Sequence, residues 1–343
     1  MKKRSFFQKF MFFLNLVFSF FLLLACIVPY TSSASLAFIS LAVPVLVFIN
    51  ISFFLFWLAQ KKFLMLLPLS ILVYGYFSLG TFISFNGIKA GEKQDGEISI
   101  MSFNSLGFRG KEDEWKSTAG DTIVNFIQKE NPDVICFQEF DYRKIRSHYF
   151  EEYPYKYVDY EFGTDRGRVI QAIYSKYRII EKGIIEFPNS SNSAVFADVV
   201  IKSDTVRFYN LHLESLKIRP SSIKSERSDL LFGRLRESFA KQQEQSEIVN
   251  QHMNKSPYKN IVCGDFNNNQ FSSVYFNIRG AMNDSFLEKG NGYGQTINFW
   301  RFPLRIDFIL VDPSFEVLSH KNYNIELSDH EPIMASIKVG TDE

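Results

Sequence analysis

Three stretches near the start of the chain, residues 10–30, 36–59 and 63–85, each run for about 20 residues without a charged side chain. An α-helix of that length crosses the ~30 Å hydrocarbon layer of a bilayer. A helix packed on a soluble core keeps a polar face, and these stretches have none. The pattern predicts three transmembrane helices in an all-α region at residues 1–90. For the first stretch, a cleaved signal peptide followed by two spans is the alternative. Lys2, Lys3, Arg4 and Lys9 precede the first stretch, and Lys61 and Lys62 separate the second from the third. Positive charge marks the cytoplasmic side, so the N-terminus is expected inside and residues from about 90 onward outside. Lys89 and Lys93 are a mild counter-signal. The expected location is the cell membrane, multi-pass, with the remainder of the chain extracytoplasmic.

Charge divides the chain in the same place. Residues 1–94 carry eight basic residues against Glu92 alone, which makes +7; the whole chain is +1, so the remainder is −6. Of three cysteines, Cys26 falls in the first apolar stretch, where Leu23-Leu24-Ala25-Cys26 resembles a lipoprotein cleavage box. Two further spans after it favour a plain buried thiol. Cys136 and Cys263 fall in predicted interior strands and behave there as small hydrophobes; their spacing suits neither a disulfide framework nor zinc.

Residues 95–343 read as a sheet protein. Residues 97–103 alternate apolar and polar, and residues 133–137 form a short apolar run. Further strands are predicted at 171–175, 194–201, 206–213, 260–263, 306–311 and 333–339. Residues 121–129 carry an apolar stripe at helical spacing, closed by Asn131-Pro132, and residues 229–254 are the longest helix expected. Many strands with few helices, out of strict alternation, point to an α/β sandwich of two mixed sheets with helices outside.

Several of these runs end on a polar side chain: Asn104, Glu139, His212 and Asp265-Phe266-Asn267, with Asp307 inside Arg305-Ile306-Asp307-Phe308 and Ser328-Asp329-His330 near the end. A buried strand delivers such a residue to the rim of its sheet. Carboxylate, amide and imidazole groups gathered there suit a hard divalent cation and acid–base work on phosphate. Asp307 lies between apolar residues, and a buried carboxylate wants a partner; His330 is the expected one. Tyr174 and Tyr209 face either a pocket or an aromatic core. His148, His252 and His320 lie in polar stretches and are expected to be solvated.

In this order, Ser102-Phe103-Asn104, Asp133-Val134-Ile135-Cys136-Phe137-Gln138-Glu139, Ile173-Tyr174-Ser175-Lys176, Asn210-Leu211-His212-Leu213, Gly264-Asp265-Phe266-Asn267, Arg305-Ile306-Asp307-Phe308-Ile309-Leu310 and Ser328-Asp329-His330 resemble the endonuclease/exonuclease/phosphatase superfamily over residues 97–340. The resemblance implies a four-layer α/β/β/α sandwich and a Mg²⁺- or Mn²⁺-dependent phosphoric ester hydrolase. It implies Glu139 as the principal metal carboxylate, with Asn104 nearby and Asp329 in support. It further implies an imidazole–carboxylate pair of His330 and Asp307, Asp265 to orient or deprotonate water, Asn267 to donate to a phosphoryl oxygen, and His212 to help the leaving group. One departure stands out. Family members often continue Gly-Asp-Phe-Asn with Asp and then Thr/Ser-Pro, whereas this chain runs Asn268-Asn269-Gln270.

The substrate stays open among a lipid headgroup phosphodiester, a small phosphoester and a nucleic acid. Nucleic-acid binding relies on basic surface, and the −6 of the second part opposes it. Lys217, Arg219, Lys224, Arg227, Arg234, Arg236 and Lys241 do gather, but Glu226, Asp229 and Glu237 interleave as on a solvated helix face. A membrane-anchored binding protein that keeps the fold without catalysis is the reading from another class.

Overall fold

The computed structural model describes residues 5–31, 33–86, 96–110, 119–144, 148–160, 167–217, 227–299 and 302–340. Lys2, Lys3, Arg4, Lys89, Lys93, Arg219, Lys224 and Glu226 lie outside the described residues. The chain divides into two units: residues 1–82 with 269–277, and residues 83–268 with 278–343.

The larger unit holds two six-stranded sheets. The first contains β1 (Glu97–Asn104), β2 (Val134–Gln138), β3 (Tyr155–Val158), β4 (Ala172–Ser175), β11 (Glu316–Asn322) and β12 (Ile333–Lys338), in the order β11-β12-β1-β2-β4-β3. The second contains β5 (Ile179–Glu186), β6 (Ser193–Ile201), β7 (Asp204–His212), β8 (Lys259–Asp265), β9 (Asn283–Asp284) and β10 (Asp307–Val311), in the order β9-β10-β8-β7-β6-β5. Each sheet has one parallel pair among antiparallel neighbours, β1 with β2 and β7 with β8.

Period-two side chains sort the central strands onto two faces. Ile98, Ile100, Val134, Cys136 and Ile173 of the first sheet meet Val195, Ala197, Val206, Phe208, Ile261, Cys263 and Ile309 of the second in one core. Met101, Phe103, Ile135 and Phe137 point the other way, onto Ile123, Val124 and Ile127 of α4 (Ala119–Glu130). Asn131 closes α4 at φ +49, its N–H returning 2.7 Å to Ile127 O, as a left-handed cap before Pro132 should. Helix α5 (Ser228–Met253) covers the second sheet: His252 Nδ1 lies 2.9 Å from the Tyr209 hydroxyl and its ring packs on Phe196. A shorter helix, α7 (Ser285–Lys289), follows β9. The result is the four-layer α/β/β/α sandwich.

Differences from expectation have physical reasons. Strands β3, β5 and β11 escaped the sequence reading, and each lies at the edge of a sheet. An edge strand is solvated and charged, and does not alternate cleanly; β5 reads Ile-Ile-Glu-Lys-Gly-Ile-Ile-Glu. His252 and His320 are not solvated: His252 caps Tyr209, and His320 Nδ1 pairs with Ser285 Oγ at 2.8 Å. His148 is exposed. Tyr174 packs among Phe137, Phe140 and Phe150, so the aromatic-core reading holds for it.

The smaller unit contains α1 (Phe6–Ala25), α2 (Phe38–Ala59) and α3 (Leu66–Leu79). Two apolar segments, Phe6–Tyr30 and Phe38–Ala59, are long enough to cross a membrane, and the third, Phe63–Leu79, is shorter than the 63–85 expected. Aromatic side chains point outward along these helices, among them Phe13, Phe20, Phe48 and Phe77. Inside, Asn15 Nδ2 donates to Ser19 Oγ (3.0 Å), which donates to Asn50 Oδ1 (2.8 Å), and Trp57 Nε1 donates to Asn15 Oδ1 (3.1 Å). Residues 269–277, including most of helix α6 (Ser273–Arg279), fold with this unit. Asn269 Nδ2 donates 3.0 Å to Ser40 O. Phe271 is fully buried among Leu22, Val43, Leu46 and Leu79, and stacks on Phe82 at 4.7 Å.

Candidate active site

Strand direction brings the predicted residues together. Asn104 ends β1, Glu139 follows β2, His212 ends β7 and Asp265 ends β8, so the two parallel pairs finish at one rim. Asp307 opens β10 directly opposite Asp265, and His212 pairs with Asp265 in register. His330 precedes β12, which is antiparallel to β1. Gly264 lets this happen: a Cβ there would lie 2.1 Å from Leu211 O, and its φ of +143 suits glycine. Glu139 and Asn267 both hold φ +50, a conformation costly for side-chain-bearing residues that concentrates at functional positions.

Asp265 is the centre of the cluster. Its Oδ2 accepts from Asn104 Nδ2 (3.1 Å) and lies 3.7 Å from His212 Nε2 and 3.6 Å from His330 Nε2. Its Oδ1 accepts the Asn267 N–H at 2.7 Å. Asn104 Nδ2 also donates to Glu139 Oε1 (3.2 Å), and His212 Nε2 lies 3.8 Å from the same oxygen. Behind His330, Nδ1 pairs with Asp307 Oδ2 at 2.9 Å. The Glu139 side chain keeps 35% of its surface exposed, whereas Asp265 is 1% exposed. Asp329 is exposed, accepts from Ser328 Oγ (3.1 Å), and is close enough for its charge to act on both Glu139 and His330. Asn267 joins the cluster through its backbone; its side-chain amide donates to Leu213 O at 2.9 Å.

The electrostatics separate the two histidines. Burial pushes the Asp265 carboxyl up to about 6, helped by the Asp307 charge and opposed by His330 and His212. Burial also raises Glu139, against the Asn104 hydrogen bond. For His330, burial favours the neutral ring, but the Asp307 and Asp265 carboxylates override it and hold the imidazole well above its ordinary value. Burial leads at His212 and lowers it. The two imidazoles are therefore pushed in opposite directions, the kind of divergence that separates acid and base roles.

Donor chemistry fits a hard divalent cation. Glu139 and Asp329 offer accessible carboxylate oxygens, as Mg²⁺ or Mn²⁺ prefers, while Asn104 turns its amide nitrogen toward Glu139 and its Oδ1 accepts the Leu106 N–H at 3.2 Å. A second grouping, Asp265, Asp307 and His330, has ligand atoms within 4.8 Å of one another. Asp307 Oδ1 is buried without a hydrogen-bond partner, a position that a native structure fills or uses.

Three supports went unnoticed in the sequence. Thr296 Oγ1 accepts the N–H groups of Ile306 (3.1 Å) and Asp307 (3.2 Å). Gln138 Nε2 donates to Asn210 Oδ1 (2.6 Å), and Asn210 Nδ2 to Phe137 O (2.8 Å), tying the sheets together beneath the rim. Gln242 Nε2 donates to Glu214 O (2.7 Å) and Asn267 O (3.0 Å). Its signal was present: Ser238, Gln242, Gln245 and Ser246 occupy the buried stripe of α5 together with Leu235, Phe239 and Val249.

The model of the endonuclease/exonuclease/phosphatase family matches residues 101–330, about two thirds of the chain and all of this rim. The chain belongs to that family. Residues 8–82 match a domain of unknown function, DUF8431. Solved structures of the same fold include truncated Caenorhabditis elegans TDP2 (TM-score 0.53, 17% identity, covering 72% of this chain and 100% of that one). Another is an endonuclease/exonuclease/phosphatase family protein from Bacteroides thetaiotaomicron (0.52, 19%, 70% and 97%). A third is D. rerio TDP2 complexed with a single-strand DNA product (0.51, 16%, 71% and 100%). No curated protein matches the chain.

Proposed function

We propose that the chain is a membrane-tethered phosphoesterase that breaks a phosphodiester or phosphomonoester by in-line attack of water, with Mg²⁺ or Mn²⁺ as cofactor. Asn104, Glu139 and Asp329 would hold the cation, which when bound supplies positive charge against the phosphoryl oxygens. Asp265 takes the proton of the attacking water; a carboxyl near 6 suits a general base working close to neutral pH. His330, cationic and held by Asp307, donates from Nε2 to a phosphoryl oxygen, and fixed donors of that kind carry much of a phosphoryl-transfer rate. Neutral His212 assists the leaving group. Asn267 braces Asp265 through its backbone N–H, and its side-chain amide is held by Leu213 O.

The observation that carries this reading is the position of Asp265, within 3.7 Å of both imidazole Nε2 atoms. Its test is the full chain in detergent with methyl 4-nitrophenyl phosphate. Hydrolysis should appear with Mg²⁺ or Mn²⁺ and stop with EDTA. No metal-dependent hydrolysis across a broad phosphoester panel would promote the non-catalytic binding protein instead.

The tether rests on the length and outward-facing aromatics of the helices in residues 6–79. We infer a multi-pass arrangement with the catalytic part outside the cytoplasm. Protease added to intact cells should cut within residues 96–343; protection until the membrane is opened reverses the orientation. A second reading, an extracytoplasmic DNA or RNA endonuclease, draws support from the similar fold of a TDP2 complexed with a DNA product.

A further inference from the structure

The parallel pair β7 and β8 ends on two candidate catalytic residues at once. His212 and Asp265 form its last in-register pair, and both strands stop there. One further backbone bond, Leu213 N–H to Asp265 O at 3.1 Å, ties the exits together. Side chains then take over. Asn267 Nδ2 (2.9 Å) and Asn192 Nδ2 (2.6 Å) both donate to Leu213 O.

Gln242, within α5, adds the next rung. Its Nε2 donates to Glu214 O at 2.7 Å and to Asn267 O at 3.0 Å. Glu214 lies two residues beyond His212, and Asn267 two residues beyond Asp265. A side-chain amide carries two N–H protons, and here one goes to each exit. Asn268 Nδ2 donates to Gln242 Oε1 at 2.8 Å and so fixes which end of the amide faces the two carbonyls. Asn268 is also the first residue at which the chain departs from the family pattern. Beside it, Gln245 Oε1 accepts the Glu214 N–H at 2.8 Å.

Burial makes the arrangement strict. Gln242 is fully buried and Asn268 is 1% exposed, so a carbonyl that loses its donor here finds no ready substitute in water. Helix α5 is 26 residues long and anchors Gln242 with the buried Leu235, Phe239 and Val249. A group on such a helix holds its target more tightly than one on a loop. The turn needs that restraint, because Asn267 at φ +50 persists only where its surroundings over-determine it. The span of one amide thereby limits how far the exits can separate, and with them the 3.7 Å between Asp265 Oδ2 and His212 Nε2.

We propose that Gln242 is a positioning residue for the reaction: it clamps the exits of β7 and β8 so that Asp265 and His212 address one phosphate, and Asn268 keeps its amide turned for the task. It acts through the backbone and does not touch the substrate. The proposal rests on the phosphoesterase reading of the rim.

The test uses the full chain in detergent with Mg²⁺ and methyl 4-nitrophenyl phosphate, with turnover expressed per folded molecule. Gln242→Met keeps the length of the side chain and removes both donors. Its kcat should fall about 10- to 100-fold, as for a misplacement of ~1 Å, with KM within about threefold of wild type. Asn268→Ala should lower kcat less, and the double variant should be no worse than Gln242→Met alone, because both changes act on one amide. Hydrogen exchange read by mass spectrometry needs no turnover. Amides of residues 213–214 and 267 should exchange about tenfold faster or more in Gln242→Met, with β1 and β2 unchanged. Exchange like that of wild type would overturn the clamp. Faster exchange with kcat unchanged, or a loss confined to KM, would overturn the positioning role. Wild-type protein that hydrolyses nothing, while its exchange still responds to Gln242→Met, would sink the catalytic reading and leave the clamp standing.

Discussion

Buried polar side chains occur in both units of this protein, and they are treated in opposite ways. In the helical unit, Asn15, Ser19, Asn50 and Trp57 form a chain in which each polar group has a partner, ending on the backbone oxygens of Phe18 and Leu46. At the sheet rim, three carboxylates and two imidazoles crowd together, and His212 Nδ1 and Asp307 Oδ1 have no partner. A closed network of neutral groups fixes helices against each other and changes no charge. An open cluster of ionisable groups pushes pKa values apart and retains unused capacity for a ligand.

That contrast predicts which substitutions harm activity and which harm folding. His330→Ala should lower hydrolysis about 10²- to 10⁴-fold per folded molecule and also cost stability, since it leaves the buried Asp307 carboxylate unpaired; unchanged turnover per folded molecule would place His330 with the structural group. Gly264→Ala should also do both. Its Cβ would strike the backbone of Leu211, and overpacking plus strain costs roughly 3 kcal/mol; denaturant titration and activity should fall together.

His320 sharpens the comparison, because it is a buried, half-partnered histidine away from the rim. Burial pushes its pKa down to about 4 from 6.5, and its Nε2 has no partner. The unfolded chain therefore takes up the proton first as pH falls below 6.5, and stability present above that pH is lost on the way to pH 4. Wild type should lose up to about 3 kcal/mol relative to His320→Gln between pH 7 and pH 4. The opposite contribution from Asp265 is common to both proteins and drops out. A constant difference across that range would show that His320 does not titrate with folding. The smallest effect belongs to the helices. Asn50→Leu strips Ser19 of its acceptor and should cost roughly 1 kcal/mol, while turnover per folded molecule stays the same; a fall in turnover would mean the network does more than hold helices.

Much of the rim was legible because most of the candidate residues close or open a strand whose apolar run is visible. Asn104, Glu139, His212 and Asp265 could be placed that way, and the Asp307–His330 pair followed from a carboxylate set between apolar residues. Their supports could not be placed. Thr296 and Gln138 with Asn210 act on residues far along the chain, and nothing local marks them; Gln242 alone carried a signal, its place on the buried stripe of α5, but that stripe does not name the carbonyls it braces. The bond from the Asn267 side chain to Leu213 O was hidden for the same reason, since it forms only once the sheets have closed. Edge strands were missed because solvent blurs their alternation, whereas the central strands, buried on both faces, read clearly.

The departure after Asn267 has a practical corollary for anyone making this enzyme. Phe271 sits four residues beyond that turn, and its covering comes from Leu22, Val43, Leu46, Leu79 and Phe82. A fragment cut near residue 90 would keep the phenylalanine and discard these five partners. Such a truncate should precipitate or lose its reactive loop, and Phe271→Ser should raise its yield without restoring turnover. The helices within residues 6–79 therefore belong with the 269–277 segment in any preparation, and the whole chain is the material to purify.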